Sequence, residues 1–180
     1  PMAGLKFSLP IVFSMKGFGT VVTGTLVSGR LAADMDVAVL PASRAVKVRG
    51  LQVHGQRQEV AEAGQRVAVN LAGVDVADLQ RGDTLVTPGA LADTRVVDAR
   101  VDVLPSARPV RHGARVRFHQ GTTEVMGRVA VSGLVVVADV IDPPVAAEIP
   151  AGRSAYVRVR FERPAVLTRG DRFIVRAYSP

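Results

Sequence analysis

The sequence has no cysteine, no tryptophan and only three histidines, and aromatic residues fill just 4% of its 180 positions. Without cysteine there is no disulfide scaffold, no thiolate zinc site and no thiol nucleophile, a composition compatible with a reducing compartment. His54, His112 and His119 have neither the spacing nor the carboxylate companions of a zinc-binding helix, so no metal is expected. No apolar run is long enough for a membrane helix, and Pro1 to Phe7 lack the basic-then-apolar order of a secretory signal. No membrane partner is therefore expected, and a first residue of proline suggests a cut fragment. A Gly-x-x-x-x-Gly-Lys-Ser/Thr loop is also missing, so these residues should not cradle nucleotide phosphates in the P-loop manner.

What is plentiful is β-branched apolar residue in alternation. With 48% hydrophobic residues the chain can build one large core or two small ones. Thr20–Thr23, Asp36–Leu40, Ala45–Arg49, Gln65–Leu71 and Asp83–Val86 are short, period-two segments bounded by Gly, Pro, Asp or Ser. The pattern resumes in Thr94–Val101, Ala114–His119, Glu124–Val131, Ser154–Phe161 and Arg172–Arg176. These read as antiparallel strands, and only Val74–Gln80 suits a helical turn. Strands at this spacing without helices between them point to an all-β fold of two consecutive small antiparallel β-barrels, because closure removes exposed edges. The break at Pro88 to Ala92 sets the expected domains at residues 1–88 and 89–180. Arg81-Gly82-Asp83 and Arg169-Gly170-Asp171 each precede a last strand, with Gly allowing a positive φ and Asp expected to bond the backbone beyond.

Charge is uneven. Lysine and arginine number 23 against 16 acids, a formal +7, of which residues 91–180 carry +5. Arg108, Arg111, His112, Arg115, Arg117 and His119 fall in one stretch without an acid. If 114–119 is a strand, Arg115, Arg117 and His119 take one face while Val116 and Phe118 take the other. Tyr156, Arg158 and Arg160 repeat the arrangement against Val157, Val159 and Phe161. Guanidinium forks match phosphate oxygens, which favours an RNA backbone as partner, whereas a merely solvated barrel face explains either strand alone. Gly17-Phe18-Gly19 fails as a dinucleotide fingerprint, since Val22 stands where a third glycine is needed and strand follows rather than helix. Those glycines read as a hairpin bend.

The run Phe13-Ser14-Met15-Lys16-Gly17-Phe18-Gly19-Thr20-Val21-Val22-Thr23-Gly24-Thr25 closely resembles the start of the second domain in translational GTPases related to elongation factor Tu. Lys47 to Gly55, Ala63 to Val74, Arg81-Gly82-Asp83, Val116 to Thr122 and Gly170 to Pro180 resemble more narrowly the bacterial selenocysteine-specific elongation factors, over nearly the whole chain. The resemblance implies the barrel pair of such a factor, the part that holds selenocysteinyl-tRNA during delivery to the ribosome in the cytoplasm. GTP and magnesium would belong to a separate GTPase domain of the parent chain, so this fragment is expected to hold no cofactor and to catalyse nothing. By the same resemblance the first barrel receives the aminoacylated 3′ end, and the second lies along the acceptor and T-stem backbone. The expected aminoacyl-end pocket consists of Arg66, Lys16, Gly17, Phe18, Gly19 and His54, with Lys16 to Gly19 shaping a bend beside Arg66. A selenol ionises at neutral pH, so a cation such as Arg66 would discriminate it from a hydroxyl or thiol by charge. The expected backbone contacts are Arg108, Arg111, Arg115, Arg117, His119, Arg158 and Arg160.

The chain departs from the family pattern at two places. An Asp followed by Arg or His usually separates Leu-Pro-Ile from Val-Phe, whereas here Leu9-Pro10-Ile11 runs straight into Val12-Phe13. A two-residue deletion preserves strand alternation, so the barrel is expected to survive without that pocket pair. The family's Gly-rich closing strand does not follow within these residues, so an unpaired edge is expected in the second barrel. Two alternatives remain: an inert scaffold without RNA affinity, or the barrel pair of another translational GTPase.

Overall fold

A computed structural model describes residues 4–15, 17, 19–135, 141–142 and 147–177, and nearly all are strand or turn. The chain divides by contact into two compact units. One is made of the residues up to Asp93 with Gly121–Thr123 and Val166–Arg169, the other of the remaining residues from Thr94 on.

The first unit contains β1 (Lys6–Met15), β2 (Gly19–Ser28), β3 (Arg30–Ala32), β4 (Asp36–Leu40), β5 (Arg44–Val53), β6 (Gln56–Gln58), β7 (Val60–Glu62), β8 (Arg66–Ala72) and β9 (Thr84–Val86). The sheet runs β4-β9-β1-β2-β8-β5-β6, and a further ladder between β4 and β5 closes six of these strands into a ring. Alternation explains which side chains fill it. In β8, Val67, Val69 and Leu71 are buried, while Arg66, Ala68 and Asn70 face outward. In β5 the register slips between Val48 and Gly50, a bulge at Arg49. That extra residue resets the phase, so Val46 and Val48 before it and Leu51 and Val53 after it all enter the core.

A second bulge lies in β1. Ser8 faces Thr25 and Ile11 faces Thr23, so Leu9 and Pro10 share the space opposite Gly24. Proline has no amide proton to give a ladder and is tolerated there. The fit depends on Gly24, because a Cβ on it would sit 2.0 Å from the Ser8 carbonyl oxygen and 2.8 Å from the Phe7 ring. β1 thus pairs with β2 and β9 and completes the ring with Ile11 running straight into Val12.

The second unit contains β10 (Thr94–Asp102), β11 (Val110–Arg111), β12 (Arg115–Gln120), β13 (Thr123–Val135), β14 (Ile141–Asp142), β15 (Glu148–Ile149), β16 (Ser154–Ala165) and β17 (Ile174–Ala177). Its sheet order is β10-β16-β13-β12-β17, with β14 on β13 and a separate β11-β15 ribbon. Among the described residues β10 and β17 have one strand partner each, in line with the expected edge. Val116, Phe118, Val129, Val131, Val157, Val159 and Phe161 are buried. Phe118 stacks on Phe173 at 4.6 Å and meets Phe161 edge-on at 4.9 Å, holding β12, β16 and the approach to β17 together.

The fold is the all-β pair of antiparallel barrels expected, and each expected strand segment overlaps an observed strand. The helical turn is a single 3-10 turn at Val76–Asp78. Gly82 and Gly170 both have positive φ, 96° and 89°. The Asp83 carboxylate accepts the Gln80 amide at 2.8 Å, a bond back across the turn that closes it onto itself.

Candidate functional site

The outer surface of the second unit carries most of the arginines singled out from sequence. Arg115 and Arg117 on β12 are exposed while Val116 and Phe118 between them are buried, and Arg158 and Arg160 on β16 alternate likewise with Val157, Val159 and Phe161. Ladder register then arranges them across the sheet. Arg160 lies directly opposite Arg128 of β13. A two-residue turn, Gly121-Thr122, joins β12 to β13, and the Val129 amide donates to the Ala114 carbonyl, which brings Arg115 opposite Arg128. Arg115, Arg128 and Arg160 therefore form a row over three adjacent strands, and Arg176 of β17 faces Arg117 one row away.

Several of these cations meet carboxylates. Arg115 Nε and Nη2 donate to Glu162 Oε1 and Oε2 at 2.7 and 2.8 Å. Arg158 grips Asp98 in the same two-point way, at 2.7 and 2.9 Å. Arg117 lies 3.5 Å from Glu124. These bonds hold the Asp98 and Glu162 carboxyls below the usual carboxylate range, chiefly through the guanidinium hydrogen bonds of Arg158 and Arg115. His119 is half-buried, with Nδ1 3.7 Å from Glu124 Oε2 and Nε2 buried without a partner among the described residues. The basic stripe exists and faces outward, but acids partly neutralise it.

Arg108 and Arg111 are not part of that row. They are exposed on the loop before β11 and on β11 itself, where with Arg115 they rim a cleft of about 420 Å³. Its apolar walls include Val101, Val103, Val110, Val116 and Val175.

In the first unit residues of β1, β2, β8, β5 and β6 enclose a depression of about 240 Å³. Phe13, Met15 and Val21 line it on one side, Ala68 and Asn70 on another, and Arg49, Gln52 and Arg57 supply polar atoms. A Cβ on Gly50, another lining residue, would meet no atom within 4 Å. Asn70 Oδ1 and, on neighbouring β2, Thr23 Oγ1 are buried with no hydrogen-bond partner among the described residues. The orphaned Asn70 acceptor in the lining of an apolar concavity makes it a candidate binding surface.

The expected pocket residues are not gathered together. Arg66 starts β8 opposite Thr25, whereas Gly19 starts β2 opposite Met15, six residues along that strand or roughly 20 Å away. The bend at Gly17 and Gly19, both with positive φ, therefore does not flank Arg66, because hairpin and strand start lie at opposite ends of β2. Lys16 and Phe18 lie outside the described residues. His54 occupies the exposed His54-Gly55 turn between β5 and β6, with φ of 52° and 76°, a geometry that suits a two-residue hairpin. Since Val53 faces Val67, that turn is at the Arg66 end of the barrel. Arg66 itself shares an outward face with Ala68 and Asn70, about 7 Å from Ala68 along the strand.

Sequence reasoning missed Arg128, Arg176, Asn70 and the depression. Alternation within Glu124–Val131 was enough to point Arg128 outward. The depression carries no local signal, because five strands contribute to it.

Among the described residues no three His, Asp or Glu side chains group as a metal set, and no helix is long and apolar enough to cross a membrane.

A family model of elongation factor Tu domain 2 matches residues 19–86, and one of the selenocysteine-specific elongation factor β-barrel domain matches residues 97–179. A selenocysteine-specific elongation factor of Desulfomicrobium baculatum is 42% identical over 177 residues, 97% of this chain and 26% of that protein. One of Methanocaldococcus jannaschii is 30% identical over 175 residues, 95% of this chain and 37% of that protein. The crystal structure of the apo elongation factor SelB of Methanococcus maripaludis is similar with a TM-score of 0.82 and 25% identity, over 96% of this chain and 37% of that one. The chain thus spans between 26% and 37% of the length of these curated relatives.

Proposed function

The chain belongs to the family of selenocysteine-specific elongation factors, and from that membership we propose that its two units are the transfer-RNA-holding body of such a factor. The observation that carries the reading is the first unit's depression, an apolar floor of Phe13, Met15 and Val21 beside the orphaned Asn70 Oδ1. A flat base packs on such a floor, with Arg49, Gln52 and Arg57 supplying polar atoms at its rim. With the terminal nucleoside seated there, the aminoacyl group extends over Ala68 towards Arg66, whose charge favours an ionised selenol over a hydroxyl. The second unit's arginine face supports the phosphate backbone through ion release, without reading sequence. GTP and magnesium belong to the GTPase domain of the parent chain, and the ribosome and the cytoplasm are the setting in which that parent works.

The test is titration of the chain with selenocysteinyl-tRNA, the uncharged tRNA and the same tRNA lacking its terminal nucleoside, across a salt series. For Z backbone contacts, log affinity falls against log salt with a slope of about −0.7Z to −0.9Z. The intact 3′ end should bind more tightly than the shortened one. Gly50→Leu, which projects into open space, should keep the fold and abolish that difference. Equal binding of intact and shortened RNA by the unaltered chain would overturn the reading of the depression. The carboxylates on Arg115, Arg117 and Arg158 favour a second reading, a barrel pair without RNA affinity, and absence of binding at low salt would select it.

A further inference from the structure

Like charges directly opposite each other in an antiparallel ladder are destabilising, and sheets usually avoid them or place an acid between them. Arg128 and Arg160 are such a pair, both exposed. Arg128 Nη1 makes one long bond, 3.3 Å, to the neutral carbonyl of Gly113. The Arg160 guanidinium has no hydrogen bond or ion pair among the described residues. The third member of the row, Arg115, is held at two points by Glu162. Glu162 stands two residues beyond Arg160 on the same outward face of β16, and the charges of both Arg115 and Arg128 lower its carboxyl pKa. One carboxylate thus acts on two guanidinium groups of the row, Arg115 and Arg128, and is hydrogen-bonded only to Arg115.

We infer that Arg115, Arg128 and Arg160 form a phosphate-binding row and that Glu162 restrains it, holding Arg115 back until a phosphate oxygen replaces the carboxylate. Arg128 and Arg160 make the first contact, because neither has a carboxylate to shed. Arg115 joins by exchanging one two-point oxyanion partner for another, since phosphate and carboxylate present the same fork of acceptors to a guanidinium. The restraint has a use. Exposed ion pairs are weak, so the exchange lowers affinity only modestly while suppressing retention of stray polyanions. This inference rests on the proposed RNA-backbone role of the second unit for its biological ligand, but the row's affinity for phosphate can be measured apart from that role.

Two probes separate the two claims: inorganic polyphosphate and the tRNA itself, each titrated against the full chain and its variants in a salt series. Glu162→Gln removes the two-point carboxylate hold on Arg115 without removing side-chain bulk. It should tighten polyphosphate binding about two- to five-fold, the range expected for loss of one competing exposed pair, and should steepen the salt slope by close to one contact. Arg128→Gln should weaken binding and make the slope shallower by a similar amount. Glu59→Gln, an exposed acid of the first unit, is the control for net charge and should change binding by less than Glu162→Gln does. Polyphosphate affinity that is unchanged or weaker in Glu162→Gln, or equally raised by Glu59→Gln, overturns the inference. If the order of variants holds for polyphosphate while tRNA binds none of them, the row stands and the RNA reading falls. Far-ultraviolet circular dichroism of each variant establishes that it is folded before it is scored.

Discussion

Replacing Gly24 by alanine adds one methyl group at the most tightly enclosed of the described glycines, and its cost follows from three contacts. The new carbon would lie 2.0 Å from the Ser8 carbonyl oxygen and 2.8 and 3.0 Å from two carbons of the Phe7 ring, where ordinary contact begins at 3.4 Å. Ser8 has to retreat by more than 1 Å. It is paired with Thr25 on one side and Thr84 on the other, so the retreat disturbs two ladders at once. The Phe7 ring is fully buried and has no space to swing into. Overpacking of a core typically costs about 1–3 kcal/mol and more where backbone must move, so about 3 kcal/mol is expected here. In a unit of this size that corresponds to a fall in Tm of roughly 12–24 °C. Gly50→Ala is the matched control: its methyl meets nothing within 4 Å, and its effect should stay within about 1 kcal/mol of zero. Urea unfolding followed by far-ultraviolet circular dichroism reads both units. Tyrosine fluorescence reports only the residues from 94 on, since both tyrosines, Tyr156 and Tyr178, lie there and tryptophan is absent. A Gly24→Ala unfolding free energy within about 1 kcal/mol of that of Gly50→Ala would refute the close-packing argument.

Two further outcomes are expected. Asp98, Glu162 and Asp102 have folded-state pKa values below their ordinary ones, the last chiefly through the Ser154 hydroxyl, so their contribution is present above the unfolded carboxylate pKa and is lost as pH falls through the lower folded values. Tyrosine-monitored stability should therefore be level above about pH 5 and decline below about pH 4, less steeply in Asp98→Asn; a decline complete before pH 5 contradicts this. Arg66→Ala should reduce preference for selenocysteinyl over seryl ends while leaving uncharged tRNA unaffected, and equal loss for every tRNA species would remove Arg66 from the aminoacyl pocket.

The legible parts of this chain are those where two-residue alternation runs unbroken. β8, β12 and the Ser154–Phe161 part of β16 each read correctly as inward apolar and outward polar positions, because the irregularity in β16 comes only after that stretch. β1 and β5 are harder, since the bulges at Leu9-Pro10 and Arg49 shift the phase midway. The strands of two or three residues, such as β3, β6 and β11, are too short to show a period at all. At the candidate site the exposure of Arg115, Arg117, Arg158 and Arg160 was readable, but their partners were not. Glu162 is 47 residues from Arg115, and they meet only because β13 alone separates β12 from β16 in the sheet. Arg66 and Gly19 were expected together because the family motif names both, yet strand length separates them.

The ladder between β4 and β5 has a consequence for how the first unit opens. A ring has no free end from which to unzip. Breaking one seam leaves every strand still held by the other way round, so its central amides should exchange with deuterium solvent together and slowly. In the second unit β10 and β17 each hang by a single ladder among the described residues, and their amides should be the first to take up the label.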